Sequence, residues 1–258
     1  MPWKIIIRTL YLAAKAHVLH WFGGLFQIDS YAKSMEQGAA SRGDSLLANM
    51  MEQYQRDPLK NADLRPNTHV FNTVINCWAK SLDEDAADKA EEMLVAMERL
   101  GIPGVKPDAF TYTAVIDSWA KSGYRGAAVR ASVLLERMES RYRAGELALK
   151  PNNFTYNAVI NSLAKSKEAG AAEKAERVLQ NMVNRYKTGG ENDVKPTTIN
   201  FNTVLDAWAK SGGGKSSAER AEKILQWMDE IHRSGNDDLK PGNNLFHSLL
   251  CYLAVYHL

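Results

Sequence analysis

Cysteine is scarce in this chain, and the two cysteines lie far apart. Cys77 and Cys251 each fall within an apolar helical pattern, and neither has a second cysteine nearby. This excludes a disulfide framework and argues against a zinc site, so both are expected to be small buried side chains in a reducing compartment. The six histidines show no ligand spacing such as HExxH. The sequence therefore predicts no metal site and no cofactor.

A strong excess of charge is also missing. The chain has 32 Lys and Arg residues against 30 Asp and Glu residues, a net charge of +2. Residues 1–34 contain four of the basic residues and one acidic residue, so the remainder is about neutral. A nucleic-acid site would therefore have to be a local stripe of basic residues.

No run of apolar residues reaches the roughly 18 to 20 needed to span a bilayer, so no membrane segment is predicted. Residues 1–20 combine Lys4, Arg8 and Lys15 with large apolar side chains, and no acidic residue precedes Asp29. This pattern is typical of an organelle transit peptide, and predicts a mitochondrial or plastid protein, with the mitochondrion preferred. The alternatives are an irregular first helix or a truncated start.

The chain contains an internal sequence repeat. Five prolines, Pro66, Pro107, Pro151, Pro196 and Pro241, are spaced by 41, 44, 45 and 45 residues. A similar segment follows each of them: FNTVINCWAKS, YTAVIDSWAKS, YNAVINSLAKS, FNTVLDAWAKS and FHSLLCYLAVY. Such self-similarity at a fixed period indicates a repeat architecture.

Each repeat contains two segments with apolar residues at i, i+3, i+4 and i+7, the pattern of an amphipathic helix. Phe71, Val74, Ile75 and Trp78 show it in a first helix, and second helices have the form AxxLLxxM around an alanine such as Ala131. That small residue is expected where the two helices pack closest. Segments such as SGYRG from Ser122, SGGGKSS from Ser211 and KTGGEND from Lys187 are expected to be turns.

A single helical pair cannot bury its apolar face, so neighbouring pairs are expected to stack. The predicted fold is all-α, a right-handed α-solenoid of helix-turn-helix repeats, with the handedness taken from analogy with known helical solenoids. The predicted divisions are an irregular or transit segment (1–20), a degenerate first repeat (21–65), repeats 2 to 5 (66–106, 107–150, 151–195 and 196–240), and the first helix of an incomplete sixth repeat (241–258).

The segments KPDAFTYTAVIDSWAKS, KPNNFTYNAVINSLAKS and KPTTINFNTVLDAWAKS, each followed by a helix of the AxxLLxxM type, resemble the pentatricopeptide repeat (PPR) family. The resemblance covers about residues 20–258 and is strongest from Arg65 onward. The repeats here are longer than the roughly 35 residues typical of the family, so the turns and tails are expected to open the pitch of the groove.

The resemblance implies binding of single-stranded RNA, one base per repeat. The implied base-reading residues are the one after the first-helix aromatic and the one after the closing proline: Asn72 with Asp108, Thr113 with Asn152, Asn157 with Thr197, and Asn202 with Gly242. By the family's code, the first pair implies a preference for uracil, the second for adenine and the third for a pyrimidine. The fourth pair implies only a weak base preference. Helix capping by Asn, Asp and Thr is the alternative explanation.

The family also places a base-wedging residue two positions before the first-helix aromatic, here His69, Phe110, Phe154 and Ile199. Packing between repeats is the alternative role. A lysine near the end of each first helix, Lys80, Lys121, Lys165 and Lys210, could contact phosphates. A cation favoured at a helix C-terminus is the alternative.

No catalytic constellation is found, so the chain is predicted not to be an enzyme. The segment GGGKS at 212–216 lacks the first glycine of a P-loop, because Ala209 stands there, and it follows a helix instead of a strand. The expected function is sequence-selective binding of single-stranded RNA in organelle RNA processing, stability or translation. A helical scaffold for protein partners is the alternative, and the apolar end CYLAVYHL suggests a protein partner or a homo-oligomer.

Overall fold

A computed structural model describes residues 38–166, 168–189 and 192–239. These residues form α-helices and short 3-10 turns, and none of them lies in a β-strand. The nine α-helices of the described part are α1 (Ala39–Arg56), α2 (Thr68–Lys80), α3 (Ala86–Arg99), α4 (Ala109–Ser122), α5 (Ala127–Arg143), α6 (Asn153–Lys165), α7 (Ala171–Gly189), α8 (Thr198–Lys210) and α9 (Lys215–Arg233). The predicted all-α class is confirmed. The predicted transit segment and the predicted sixth repeat lie outside the described residues.

The helices form two compact units, one up to Ser118 and one from Trp119. In the N-terminal unit, α2 packs against both α1 and α3. In the C-terminal unit, α6 packs against α5, α7 and α8, and α8 packs against α6, α7 and α9. Each of these first helices therefore contacts the second helix of its own repeat and that of the preceding repeat, as neighbouring repeats do when they share one continuous apolar layer.

The core consists of the positions that the helical periodicity selects. Tyr112, Tyr156, Phe71 and Phe201 are each at most 1% exposed, as are the valines three residues after them. The alanines expected at the helix crossings are also buried: Ala90, Ala131, Ala175 and Ala221. A fully buried large apolar side chain stabilises a fold by about 1.5–3 kcal/mol, so this layer accounts for much of the stability of each repeat.

Capping side chains mark the start of each first helix. Asn67 is the N-cap of α2 and Asn152 that of α6, and the side chain of each accepts a hydrogen bond from a backbone N–H in the first turn. Thr197 is the N-cap of α8. The Oδ1 of Asp108 accepts from the N–H of Thr111 at 2.9 Å and performs the same function for α4. These contacts satisfy N–H groups that have no partner within the helix.

The long tails between repeats are more ordered than the sequence suggests. Three of them contain 3-10 turns with a buried apolar residue two positions before the proline, Leu149, Val194 and Leu239. The tails are also hydrogen-bonded to the start of the first helix of their own repeat, as in Asn153 Nδ2 to the carbonyl of Lys195 at 2.7 Å and Thr198 Oγ1 to that of Asp238 at 2.7 Å. The extra residues of each repeat therefore form a connecting layer.

Two segments predicted as turns are partly helical. Helix α7 continues through Lys187–Gly189, and α9 already begins at Lys215, so 215–217 form its first turn. The prediction was wrong there because polar residues in the first and last turns of a helix resemble loop residues in composition. Among the described residues, no helix combines the length and the apolar character needed to cross a membrane.

Candidate nucleic-acid interface

The predicted wedging residue and the predicted phosphate-binding lysine of each repeat share one face of the first helix. They are eleven residues apart, as in Phe154 and Lys165. Because eleven residues make just over three helical turns, both side chains project from the same side, about 16 Å apart along the axis. The base-reading position lies one turn from the wedge, on the flank of that stripe.

The four predicted wedging residues are solvent-exposed, although three of them are large and apolar. Phe110 is 54% exposed, Phe154 76% and Ile199 66%, and His69 is also exposed. Packing between repeats was the alternative role, and these exposures argue against it within each unit. One exposed apolar side chain per repeat at an equivalent position forms a surface suited to contact with flat, apolar partners.

In the N-terminal unit the structure joins one predicted base-reading pair directly. Asn72 Nδ2 donates to the Oδ1 and Oδ2 atoms of Asp108 at 3.2 and 3.3 Å, although 36 residues separate the two. Thr111 Oγ1 donates to Asn72 Oδ1 at 2.6 Å, and its side chain is fully buried. Asn72 is itself buried, whereas Asp108 is half-buried. The pair is therefore a preformed polar cluster supported by a buried hydroxyl.

In the C-terminal unit a second predicted pair is joined through a third residue. Asn200 Nδ2 donates to Asn157 Oδ1, and Asn200 Oδ1 accepts from Thr197 Oγ1 at 2.9 Å and from Thr197 N at 2.7 Å. Asn157 Nδ2 donates to Asn153 Oδ1 at 2.8 Å. Asn200 is fully buried, while Asn157 and Thr197 are half-buried. Both pairs are thus linked by a buried residue that precedes the first-helix aromatic of the next repeat, Thr111 in one case and Asn200 in the other.

For the other two predicted base-reading pairs, the structure describes the burial of individual residues. Thr113 belongs to the N-terminal unit and Asn152 to the C-terminal unit, and both are half-buried. Gly242 lies outside the described residues. Its predicted partner Asn202 is half-buried, and its Oδ1 atom accepts no hydrogen bond within the described part of the chain.

The four predicted phosphate-binding lysines are all exposed: Lys80, Lys121, Lys165 and Lys210. Lys210 Nζ forms an ion pair of 2.5 Å with Asp206, one turn earlier on α8. Lys165 has Asn161 at the matching position and forms no ion pair with any described residue. Equal spacing in the sequence therefore does not make the lysines equally available to an external anion.

The hydrogen-bonding groups of the clusters are only partly used. An amide has two N–H donors and a carboxylate has about four acceptor positions. Asn72 Nδ2 donates to both oxygens of the half-buried Asp108 carboxylate, and Oδ1 also accepts from the N–H of Thr111, so an acceptor position remains on Oδ2. Such a cluster can meet the edge of a base without first being ordered, which lowers the entropic cost of binding.

Sequence reasoning missed the linking residues Thr111 and Asn200. A signal was present: the residue before the first-helix aromatic is Thr111, Thr155 or Asn200 in repeats 3 to 5, all hydrogen-bonding types, at a position otherwise flanked by apolar residues. Val70 occupies it in repeat 2. A polar residue recurring at a buried position of a helix indicates a specific partner.

Clusters of three or more His, Cys, Asp or Glu side chains arranged to hold a metal ion do not occur among the described residues. The sequence matches no protein-family model, and no curated protein matches it. The likeness to pentatricopeptide repeats therefore depends on the repeated motifs themselves.

Proposed function

We propose that this chain is a PPR-type α-solenoid that binds single-stranded RNA along its first helices and has no catalytic activity of its own. The observation that carries the proposal is the recurring stripe of an exposed wedge, a hydrogen-bonded polar pair and an exposed lysine. The resemblance to pentatricopeptide repeats and the pattern of residues 1–20 favour a role in organelle RNA processing, stability or translation.

Each part of the stripe matches one part of a nucleotide. An exposed ring such as Phe154 offers a face for a base, and stacking of this kind contributes about 1–3 kcal/mol per base. The polar pair beside it offers donors and acceptors at a fixed distance from the helix. An exposed lysine such as Lys165 offers a cation for the phosphate. An array that is neutral overall can bind RNA in this way because the charges that matter are local.

A binding assay with a randomised single-stranded RNA pool, repeated at rising salt, tests the proposal. Affinity should fall as salt rises, because phosphate contacts release counterions. Phe154→Ala should weaken binding by roughly fivefold or more. Leu147→Ala is the matched control, since Leu147 is 75% exposed but lies in the 3-10 turn after α5 and not on the stripe. No binding by the wild-type chain, or equal losses in both variants, would contradict RNA binding along the stripe.

The base-reading role has a sharper test in Asn157→Thr. A threonine hydroxyl can still accept from Asn200, so the buried link is expected to remain and stability should change little. The preferred base at one position of RNAs selected from the pool should change. Uniform weakening towards all sequences would show that Asn157 has a structural role only.

A peptide-binding scaffold is the second candidate function. The observation in its favour is that the exposed wedges are apolar, while Asn72 is buried and engaged with Asp108. A peptide groove would keep its affinity at high salt, because apolar contacts are not screened. Salt-insensitive binding to a peptide library, with no binding to RNA, would favour the scaffold.

A further inference from the structure

An open pocket of about 820 Å³ lies in the C-terminal unit, off the base-reading positions. Its walls are the C-terminal end of α6, the end of α4 from Trp119 onward, the turn that follows each of these helices, and the start of α5. Among the residues that line it are Trp119, Tyr124, Arg125, Lys165 and Glu168. The pocket thus contains one of the predicted phosphate-binding lysines together with an aromatic ring and a second cation from a neighbouring turn.

The two turns that form the pocket are held in place by hydrogen bonds. Ser122 Oγ donates to the carbonyl of Trp119 at 2.9 Å and accepts from the N–H of Tyr124 at 3.3 Å. The N–H of Gly126 donates to Glu168 Oε1 at 2.9 Å and joins one turn to the other. Gly126 has φ 88°, a left-handed conformation that a residue with a Cβ rarely adopts. The pocket is therefore preformed.

The charges around the pocket favour an anion. Arg125 and Lys165 are both exposed, and neither forms an ion pair within the described part of the chain. The residue one turn before Lys165 is the uncharged Asn161. At the equivalent position in repeat 5, Asp206 forms an ion pair with Lys210. Among the described lining residues, Glu168 has the one carboxylate, which already accepts a backbone hydrogen bond. Two cations, one engaged carboxylate and the exposed ring of Tyr124 leave a net positive and partly aromatic site.

We propose that this pocket binds one nucleotide of the RNA strand, with Lys165 and Arg125 contacting a phosphodiester group and the Tyr124 ring stacking on the adjoining base. The inference rests on the proposed function. It assigns a role to the lengthened turn of repeat 3, since Tyr124 and Arg125 both belong to the segment that makes this turn long. A phosphate requires the cations, and a base requires the ring, so the two kinds of side chain together indicate a nucleotide.

The test uses the full chain and a fluorescently labelled randomised single-stranded RNA, titrated at several salt concentrations. Arg125→Gln should reduce the salt slope by about 0.7 and weaken binding about fivefold at 0.1 M salt, the effect of one lost phosphate contact. Tyr124→Ala should weaken binding by at least fivefold, whereas Tyr124→Phe should bind as the wild type does. Glu168→Gln keeps an oxygen for the N–H of Gly126 and removes a negative charge, so it should tighten binding. Lys223→Gln and Glu222→Gln, on the exposed side of α9, are the matched charge controls.

The outcomes separate this inference from the proposed function. If Phe154→Ala weakens binding while the pocket variants behave as the α9 controls do, the pocket binds no nucleotide and the RNA-binding proposal stands. If the wild-type chain binds no single-stranded RNA, both fail. If Arg125→Gln weakens binding while Tyr124→Ala does not, the stacking role is wrong. Circular dichroism of each variant verifies that the helices are intact, so that a lost contact is not confused with unfolding.

Discussion

Replacing Arg220 with methionine removes the charge that faces the carboxylate of Glu176 and keeps most of the length of the side chain. Arg220 donates to Glu176 through Nε at 2.8 Å and also through Nη2, and Trp208 Nε1 donates to the same carboxylate at 3.0 Å. Glu176 is only 8% exposed. The three residues come from α7, α8 and α9, so this cluster joins repeat 4 to repeat 5.

The size of the effect follows from the burial of the two partners. Breaking a fully buried ion pair costs about 3–5 kcal/mol, because an uncompensated charge remains in the interior. The side chain of Arg220 is 46% exposed, so water can replace part of its interaction with Glu176. We therefore expect Arg220→Met to lower the free energy of unfolding by about 2 kcal/mol, near the value for hydrogen bonds to a charged group.

Hydrogen exchange is the suitable assay, because repeats unfold in part and a single transition would average them. Amide protection in α8 and α9 should fall about thirtyfold, the equivalent of 2 kcal/mol, while α2 and α3 should be unaffected. Arg233→Met is the matched control: its ion pair with Asp229 is exposed, and its loss should cost at most about 0.5 kcal/mol.

A double-mutant cycle with Glu176→Gln shows whether the pair itself is responsible. With the carboxylate gone, Arg220→Met should cost much less than it does alone. Equal costs in both backgrounds, or a loss no larger than that of Arg233→Met, would refute the claim that the buried charge couples the two repeats.

Three further predictions concern single side chains. Burial, together with the Glu139 carboxylate, raises the pKa of Tyr156 above its usual value of 10.0. The protonated hydroxyl therefore contributes stability below pH 10, and this contribution is lost as the pH rises further. The free energy of unfolding should fall by up to about 1.4 kcal/mol per pH unit. Denaturant titrations at rising pH should show this loss in the wild type and not in Tyr156→Phe. Asp44 holds the position in its repeat that Glu176 holds in repeat 4, and the buried Trp78 Nε1 has no acceptor among the described residues. Asp44→Glu should reach this N–H and stabilise the chain by about 1 kcal/mol in urea titrations; no gain would show that the two groups do not face each other. Asp206→Asn should release Lys210 and steepen the salt slope of RNA binding by about 0.7, and an unchanged slope would mean that Lys210 contacts no phosphate.

The helical pairs were predictable because their signal is local. Apolar residues at i, i+3, i+4 and i+7 recur in each repeat, and one face of a helix is the arrangement that buries them together. Caps such as Asn152 act on N–H groups within the same turn, so residue type and position were sufficient to locate them. The tails were less predictable, since a polar segment with one apolar residue can be a loop or a 3-10 turn until a neighbouring repeat covers that residue.

Contacts between repeats left a partial trace in the sequence. Tyr156 donates its hydroxyl proton to Glu139, and Tyr112 donates to Glu98, in each case to the second helix of the preceding repeat. In repeat 5 the first-helix aromatic is Phe201, which has no hydroxyl. The position that Glu139 holds in repeat 3 is occupied in repeat 4 by Val183. In repeats 3 to 5 the hydroxyl and its acceptor thus occur together or are absent together, because a buried hydroxyl needs a partner. This pairing can be recognised in the sequence only once it is known which residues of neighbouring repeats face each other.

The sequence by itself determined the all-α class, the period, the apolar face of each helix and the caps, because these depend on residues a few positions apart. It also placed the positions predicted for wedging, base reading and phosphate contact at fixed offsets within each repeat. Only the tertiary structure decided which of these side chains meet and which remain available. Asn72 reaches Asp108 across 36 residues, Lys210 is paired while Lys165 lies open beside a pocket, and the ring of Phe154 stays exposed. Such differences depend on distances between repeats, and those distances are set by the packing of whole helices.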